Sequence, residues 1–316
     1  MVTGCDIPVV QNSKPAIDLL CAISETYTRA KTIMALQFTL TVPAALASSV
    51  LMAWQQDWKI WLTSFSISVA LLDVLRLQRA QIGLRKRGAT LQQMFDAKVL
   101  KLPWRPLRCG SVVDSADVFS AAQKFVARAK STDGMRDWYP VVIGKIPIHL
   151  ARIICQHASL FWDLRQREHV RGGLTLIMVA LALFVFIIAL GRGDTVEEMI
   201  LSVYVPLAPA VIWILREILA QGDAINADER GLIAADQLWK RASQQALTPD
   251  ELERESLLIQ DALFDNRSRS PAVFTWIYNL LRKQREDEMQ YKAAEMVAEL
   301  LATTLSRPPK ATLSTN

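Results

Sequence analysis

From Leu174 to Leu190 the chain reads LTLIMVALALFVFIIAL, and Thr175 is the only polar residue in that run. A helix in water needs one apolar face, not an apolar circumference. At about 1.5 Å of rise per residue, the run and its flanking glycines Gly172, Gly173 and Gly191 span roughly the 30 Å hydrocarbon core of a bilayer. The segment reads as a transmembrane helix. A second run, Met199 to Leu219, carries no charge until Arg216 and contains Pro206 and Pro209, which membrane helices tolerate. The two make a helical hairpin. Thr32 to Trp54 contains no charge, and Trp61 to Leu72 continues apolar up to Asp73, which predicts an earlier hairpin. Asp73 then falls at the end of a membrane helix, with Arg76 at i+3 expected to neutralise it as a structural pair.

The rest of the chain is aqueous in character. Charged residues are 21% of the total, yet the mean hydropathy is +0.19, so apolar and charged material must be segregated along the sequence. An apolar fraction of 51% excludes a disordered chain, and 12 Gly with 13 Pro exclude a collagen-like one. The four cysteines, Cys5, Cys21, Cys109 and Cys155, have no CxxC spacing and are expected to be reduced thiols rather than a disulfide framework. The segment between the hairpins is rich in Arg and Lys from Arg79 to Arg171, whereas the turns inside the hairpins, Gln55 to Lys59 and Arg192 to Glu198, carry little positive charge. The positive-inside bias therefore places the middle segment and both termini in the cytoplasm, with Trp54, Trp58 and Trp61 at the outer interface. The expected organisation is an all-α integral membrane protein: a cytoplasmic segment 1–31, hairpin 32–77, cytoplasmic insert 78–172, hairpin 173–221, a cytoplasmic helical region 222–306 and a disordered tail 307–316. No secretory signal is read in the first thirty residues, where Asp6, Lys14, Asp18 and Glu25 interrupt any apolar core.

The cytoplasmic parts also read as helical. Leu77, Leu84, Leu91 and Phe95 continue the second membrane helix inward, and Ile225, Leu232 and Trp239, seven apart, continue the fourth. Such stalks can transmit movement to the bilayer. Ala272 to Thr303 reads as a further amphipathic helix whose seam, Met289, Ala293, Met296 and Leu300, fits an intramolecular core and an oligomer contact equally well. Val141 to Ile148 is too rich in Pro and Gly to read as a strand.

Enzyme signatures are missing. The chain has no GxxxxGK[ST], no GxGxxG following a strand and no GxSxG, and the spacing of His149, His157 and His169 spreads them around a helix rather than over one metal ion. The reading is a non-enzyme without metal or cofactor. Thr63, Ser64, Ser66 and Ser68 put hydroxyls on the second membrane helix, where tight packing against a neighbour is the favoured explanation and a pore lining, through Thr63, Ser64 and Ser68, the rival. Trp138, Tyr139, Arg152, Trp162, Asp163 and Arg165 cluster before the third membrane helix. Arginine forks grip phosphate oxygens and aromatic faces hold bases, so the cluster could bind a nucleotide; composition alone favours the plainer positive-inside explanation.

Three blocks, QQMFDAKVLKLPW (92–104), the WYP…ARIICQH…WDLR stretch (138–165) and IQDALFDNRSRSPAVFTWIYNLLRKQRE (259–286), resemble in order those of the SMODS-associated four-transmembrane effector family of bacterial anti-phage (CBASS) systems. The resemblance covers nearly the whole chain. Ala158 and Ser159, and Phe274 and Thr275 before Trp276, depart from the family pattern. What it implies is a multi-pass inner-membrane effector that binds a cyclic oligonucleotide, assembles as a homo-oligomer or opens, and permeabilises the membrane so that the infected cell dies. Its partners are then the lipid bilayer and that nucleotide, with no DNA or RNA polymer. On this reading Arg152, Trp162 and Arg165 are the expected ligand contacts, with Arg267, Tyr278 and Arg282 next in rank, while Trp104 and Asp96 are structural. The rival readings are a constitutive ion channel or transporter and a membrane-anchored scaffold recruiting a cytosolic partner.

Overall fold

A computed structural model describes residues 4–305 apart from 55, 130, 193–194, 196, 198–199 and 245, with the backbone alone at 53–54, 56, 59, 188–192, 201–202, 275–282 and 303–305. Every regular element among the described residues is helical. After a one-turn helix α1 (Ile7–Val10), α2 (Lys14–Trp54) runs unbroken through Pro43. A short 3-10 turn (Gln56–Trp58) reverses the chain into α3 (Lys59–Leu72), which passes through a π turn (Asp73–Leu77) into α4 (Gln78–Val99). The insert contributes α5 (Pro106–Cys109) and α6 (Ser115–Ala129). A 3-10 turn (Val141–Lys145) occupies the segment too rich in Pro and Gly for a strand. Then come α7 (Ile148–Arg192), a second π turn (Ile200–Tyr204), α8 (Val205–Ser243), α9 (Pro249–Arg269) and α10 (Thr275–Leu305).

Four helices are long and apolar enough to cross a membrane: Lys14–Met52, Ile60–Val99, Ile148–Ile187 and Val205–Ser243. The protein is an all-α, multi-pass membrane protein. Each crossing helix is continuous with a stalk that extends beyond its apolar run, as the periodicity after the second and fourth runs predicts. The N-terminal helix does the same from Lys14, where the sequence had suggested only a flanking segment. Trp58 and Trp61 are exposed at the first hairpin turn; the side chain of Trp54, most of the Arg192–Glu198 turn and the 307–316 tail lie outside the described residues.

Two apolar cores follow the division between bilayer and body. The larger joins Ile7, Leu20, Phe95, Ile143, Ile154 and Trp239 in the body, and the smaller joins Met34, Val42, Leu181, Leu207 and Trp213 between the membrane helices. α7 lies along α8, so close at Gly231 that an added Cβ would come within 2.6 Å of Leu160 Cδ2. Of the α10 seam, Ala293, Met296 and Leu300 are buried in the larger core, and Met289, Ala293 and Met296 face Ile154, Ala158 and Phe161 of α7. The seam is an intramolecular contact. α9 begins where the sequence writes a helix start: Pro249 is at its first position, Thr248 Oγ1 accepts from the Glu251 amide, and the Glu251 carboxylate accepts from the Thr248 amide.

Candidate functional site

Burying a charge is costly unless it is paired and hydrogen-bonded, so a line of buried charges in an all-helical bundle marks where the fold has spent stability on something other than packing. Such a line runs beside α4. From Asp73 to Asp96 it covers twenty-three residues, about 35 Å at helical rise.

At the bilayer edge Asp73 is buried, with its side chain 8% exposed. Gln37 Nε2 of α2 donates to its Oδ1 at 2.6 Å, and Arg216 Nη1 of α8 donates to its Oδ2 at 2.9 Å. Arg216 also reaches Gln78 Oε1 at 3.4 Å. One carboxylate thus ties together three of the four crossing helices, and it sits on the first residue of the π turn. A π turn widens the helix by one residue, which lets a side chain leave the regular helical register. Arg76, the partner expected from i+3 spacing, is exposed instead. Asp73 turns inward, and the opposing charge comes from the other hairpin.

Further in, Arg167 of α7 lies 3.4 Å from the Asp228 carboxylate of α8 and donates to Gln221 Oε1 at 3.2 Å and to the Pro271 carbonyl at 3.3 Å. Asn266 of α9 donates to Asp228 Oδ1 at 2.6 Å and to the Ala224 carbonyl at 3.1 Å. Buried Arg85 donates to the Arg269 carbonyl at 3.4 Å.

At the inner end Asp96, 1% exposed, accepts from Arg267 Nη1 at 2.8 Å, Tyr139 Oη at 2.7 Å and Gln260 Nε2 at 2.9 Å. Gln260 also donates to Gln93, and Gln156 donates to Gln260 and to the Ser256 carbonyl. Burial works to lower the Arg267 pKa, but the carboxylates of Asp96 and Asp163 outweigh it and hold the guanidinium firmly charged. Burial, with the Asp96 charge added, pushes the Tyr139 phenol well above its usual 10, so it stays protonated and donates.

These contacts locate the residues expected to bind a nucleotide. Arg152 is buried, with Nε on the Leu100 carbonyl at 2.6 Å, Nη2 on the Lys101 carbonyl at 2.7 Å and Nη1 on Glu253 at 2.7 Å; it closes the C-terminal end of α4, where Lys101 takes a positive φ of 53°. Arg267 is enclosed in the inner knot with Asp96 and Asp163. Arg165 is half-exposed, paired with Glu168 at 3.1 Å and set 5.5 Å over the Phe161 ring, with half-buried Trp162 one turn away. Thirteen residues separate Arg152 from Arg165, about 20 Å along α7 and on its opposite side, so those two do not converge. The side chains of Tyr278 and Arg282 lie outside the described residues. On α3, Ser64 and Ser68 are exposed, Thr63 is half-buried and Ser66 is buried; Ser68 and Ser66 donate to the carbonyls four residues back. Trp104 donates to the Gly110 carbonyl at 3.0 Å and packs with Cys109 and Phe264.

Gln37 and Arg216 were not singled out in the sequence, though a signal existed. Gln37 is the one amide in the charge-free Thr32–Trp54 run, and Arg216 is the first charge in the fourth; isolated polar groups inside membrane helices seek one another. The model of the SMODS-associating 4TM effector domain matches residues 5–296. A probable CBASS effector molecule of Bacillus cereus (strain VD146) is 22% identical over 291 residues, which are 88% of this chain and 93% of that protein. No solved structure matches the chain.

Proposed function

Because the chain belongs to the SMODS-associating 4TM effector family, matched from residue 5 to residue 296, we propose that it is a membrane effector of CBASS anti-phage defence, held closed until a cyclic oligonucleotide binds its cytoplasmic body and then permeabilising the inner membrane. The similarity to a probable CBASS effector of Bacillus cereus supports the setting. The observation that carries the mechanism is the buried polar column, a succession of three hydrogen-bonded clusters along α4 from Asp96 in the body, past Arg85, Arg167 and Asp228, to the Asp73–Gln37–Arg216 knot at the bilayer edge. Basic residues between the hairpins set the body and both termini on the cytoplasmic side, where a cytosolic second messenger can reach them.

A lethal lesion must be almost wholly shut beforehand. Driving a two-state population from 1:99 to 99:1 takes roughly 5.5 kcal/mol of differential binding, the scale of a few charge-assisted hydrogen bonds plus base stacking, or of assembly summed over copies. Binding at the body shifts the packing of α7, α8 and α9; the column carries that shift to Asp73; release of the knot lets the hairpins part. The outward face of α3, with Ser64, Ser68, Ile60, Ile67 and Leu71 exposed, then meets further copies around an opening. No catalytic step is assigned to any residue.

The test is dye release and ionic current from liposomes holding the purified protein, with cyclic di- and trinucleotides added on the side of the body. Leakage that requires one nucleotide supports the reading. Silence despite nucleotide binding would turn it into a scaffold, and equal leakage without nucleotide would make the protein a constitutive channel.

A further inference from the structure

Between the cytoplasmic stalk of α8 and the length of α9 a groove of about 830 Å³ opens to solvent. Small-molecule sites run to roughly 300–1,000 Å³. Its room comes from short side chains along α8, Ala220, Ala224, Ala227, Gly231 and Ala234, whose alternating spacing of four and three keeps them on one face. Small residues alone are as compatible with close helix packing as with a ligand, so the charges decide.

Three of the acids lining the groove are already neutralised: Glu255 by Arg241 at 3.4 Å, Asp261 by Arg105 and Asp265 by Arg108. What is left is Arg230 on the α8 wall and Arg269 at the end of α9, both exposed and neither side chain with an intramolecular partner among the described residues, against the single acid Asp223. The free charge of the groove is therefore positive, in the form of two planar forks suited to phosphodiester oxygens. Farther along the groove, eleven residues and about 16 Å before Arg269 on the same face of α9, exposed Leu258 gives an apolar surface on which a base can lie.

The groove is also wired to the column. Asn266, which lines it, donates to Asp228, the carboxylate beside Arg167, and the Arg269 carbonyl accepts from buried Arg85. A molecule that draws on Arg269, or that sets the spacing of α8 and α9, acts on residues bonded to Arg85 and Asp228, the middle cluster of the column between Asp96 and Asp73.

We infer that this groove is the cyclic-oligonucleotide site, with Arg230 and Arg269 on the phosphodiesters and Leu258 against a base. The inference rests on the nucleotide-activated reading above and moves the ligand contacts away from Arg152, Arg165 and Arg267. The anionic linkages and flat bases of a cyclic oligonucleotide match two arginines without an intramolecular partner among the described residues in a groove that also carries an apolar ledge, which a purely apolar partner helix would leave unmatched.

The test is calorimetric titration of the full chain in lipid nanodiscs with cyclic di-AMP, cyclic di-GMP, cyclic GMP–AMP, cyclic UMP–AMP and cyclic tri-AMP. For the nucleotide that binds, Arg230→Glu and Arg269→Glu should each weaken affinity by about 10- to 100-fold, the scale of a lost charge-assisted contact. Asp223→Asn should tighten it several-fold, a gain that misfolding cannot mimic, and Arg165→Ala should leave it unchanged. Wild-type affinity in both arginine variants would overturn the groove while leaving nucleotide activation standing. A wild-type protein that binds none of the five would overturn both.

Discussion

Asp73→Asn is the most direct perturbation of the knot at the bilayer edge, because it keeps the size of the side chain and removes its charge. The carboxylate uses one oxygen for Gln37 and the other for Arg216. An amide has one acceptor, so whichever partner meets its NH2 group faces a donor with a donor. Removing one member of a buried ion pair costs about 3–5 kcal/mol. Arg216 keeps 25% of its side chain exposed and can still reach Gln78, so the loss is discounted to about 2 kcal/mol. On the proposed gating, that cost falls on the closed arrangement, where the knot exists. At 1.4 kcal/mol per factor of ten, 2 kcal/mol is about 30-fold, which raises an open population of about 1% to roughly a quarter. The assay is dye release from liposomes without nucleotide. Asp73→Asn and Arg216→Gln should each leak spontaneously, and the double variant should leak no more than either single one, since both break the same contact. Liposomes carrying Asp73→Asn that stay as tight as wild type, yet still open with nucleotide, would refute the knot as the restraint.

Three further outcomes are expected from thermal unfolding in detergent. Arg267→Met should destabilise the body by about 3–5 kcal/mol, because it leaves Asp96 and Asp163 without their cation, whereas Arg165→Ala, at a half-exposed i,i+3 pair, should stay within about 0.5 kcal/mol; equal effects would contradict the assignment of the inner knot. Gly88→Ala places a Cβ 2.9 Å from Tyr27 Cζ, and overpacking against a rigid ring should cost about 1–3 kcal/mol, seen as a lowered midpoint. The Glu251 carboxyl is held below its usual 4.5 by the backbone amide and the hydroxyl of Thr248, so its contribution is present above pH 4.5 and is lost as pH falls through the lower folded value. Glu251→Gln should flatten that acid limb, and an unchanged limb would mean the capping box is not titrating there.

The membrane helices were legible because a run such as Leu174–Leu190 has one physical outcome, and the stalks because heptad-like spacing at Ile225, Leu232 and Trp239 persists past the bilayer. The family blocks were legible as text, but their meaning was not. Gln93 and Asp96 from the first, Gln156 and Asp163 from the second, and Gln260 and Arg267 from the third meet around one buried carboxylate. An arginine in a motif reads equally well as a ligand grip or as an internal strut, and the difference lies in contacts 104 to 171 residues away, which spacing cannot show. Arg152 misled for the same reason, its donors being absorbed by the end of α4. The Asp73–Arg76 pairing was drawn from neighbours along one helix, and the π turn removes the regular register on which that geometry depends.

The knot at Asp73 also has a history in the making of the chain. Arg216 lies 143 residues after Asp73, so at about 5–20 residues per second the carboxylate waits roughly 7–30 s on the ribosome's clock before its cation exists. Gln37, 36 residues earlier, is the partner at hand when the first hairpin enters the bilayer. Of the two partners the folded structure gives Asp73, the first hairpin inserts with the amide, and the ion pair to Arg216 forms when the second hairpin docks against it. A nascent chain arrested before Arg216 lacks the cation of this knot altogether, which ties the contact between the two hairpins to the completion of the chain's own synthesis.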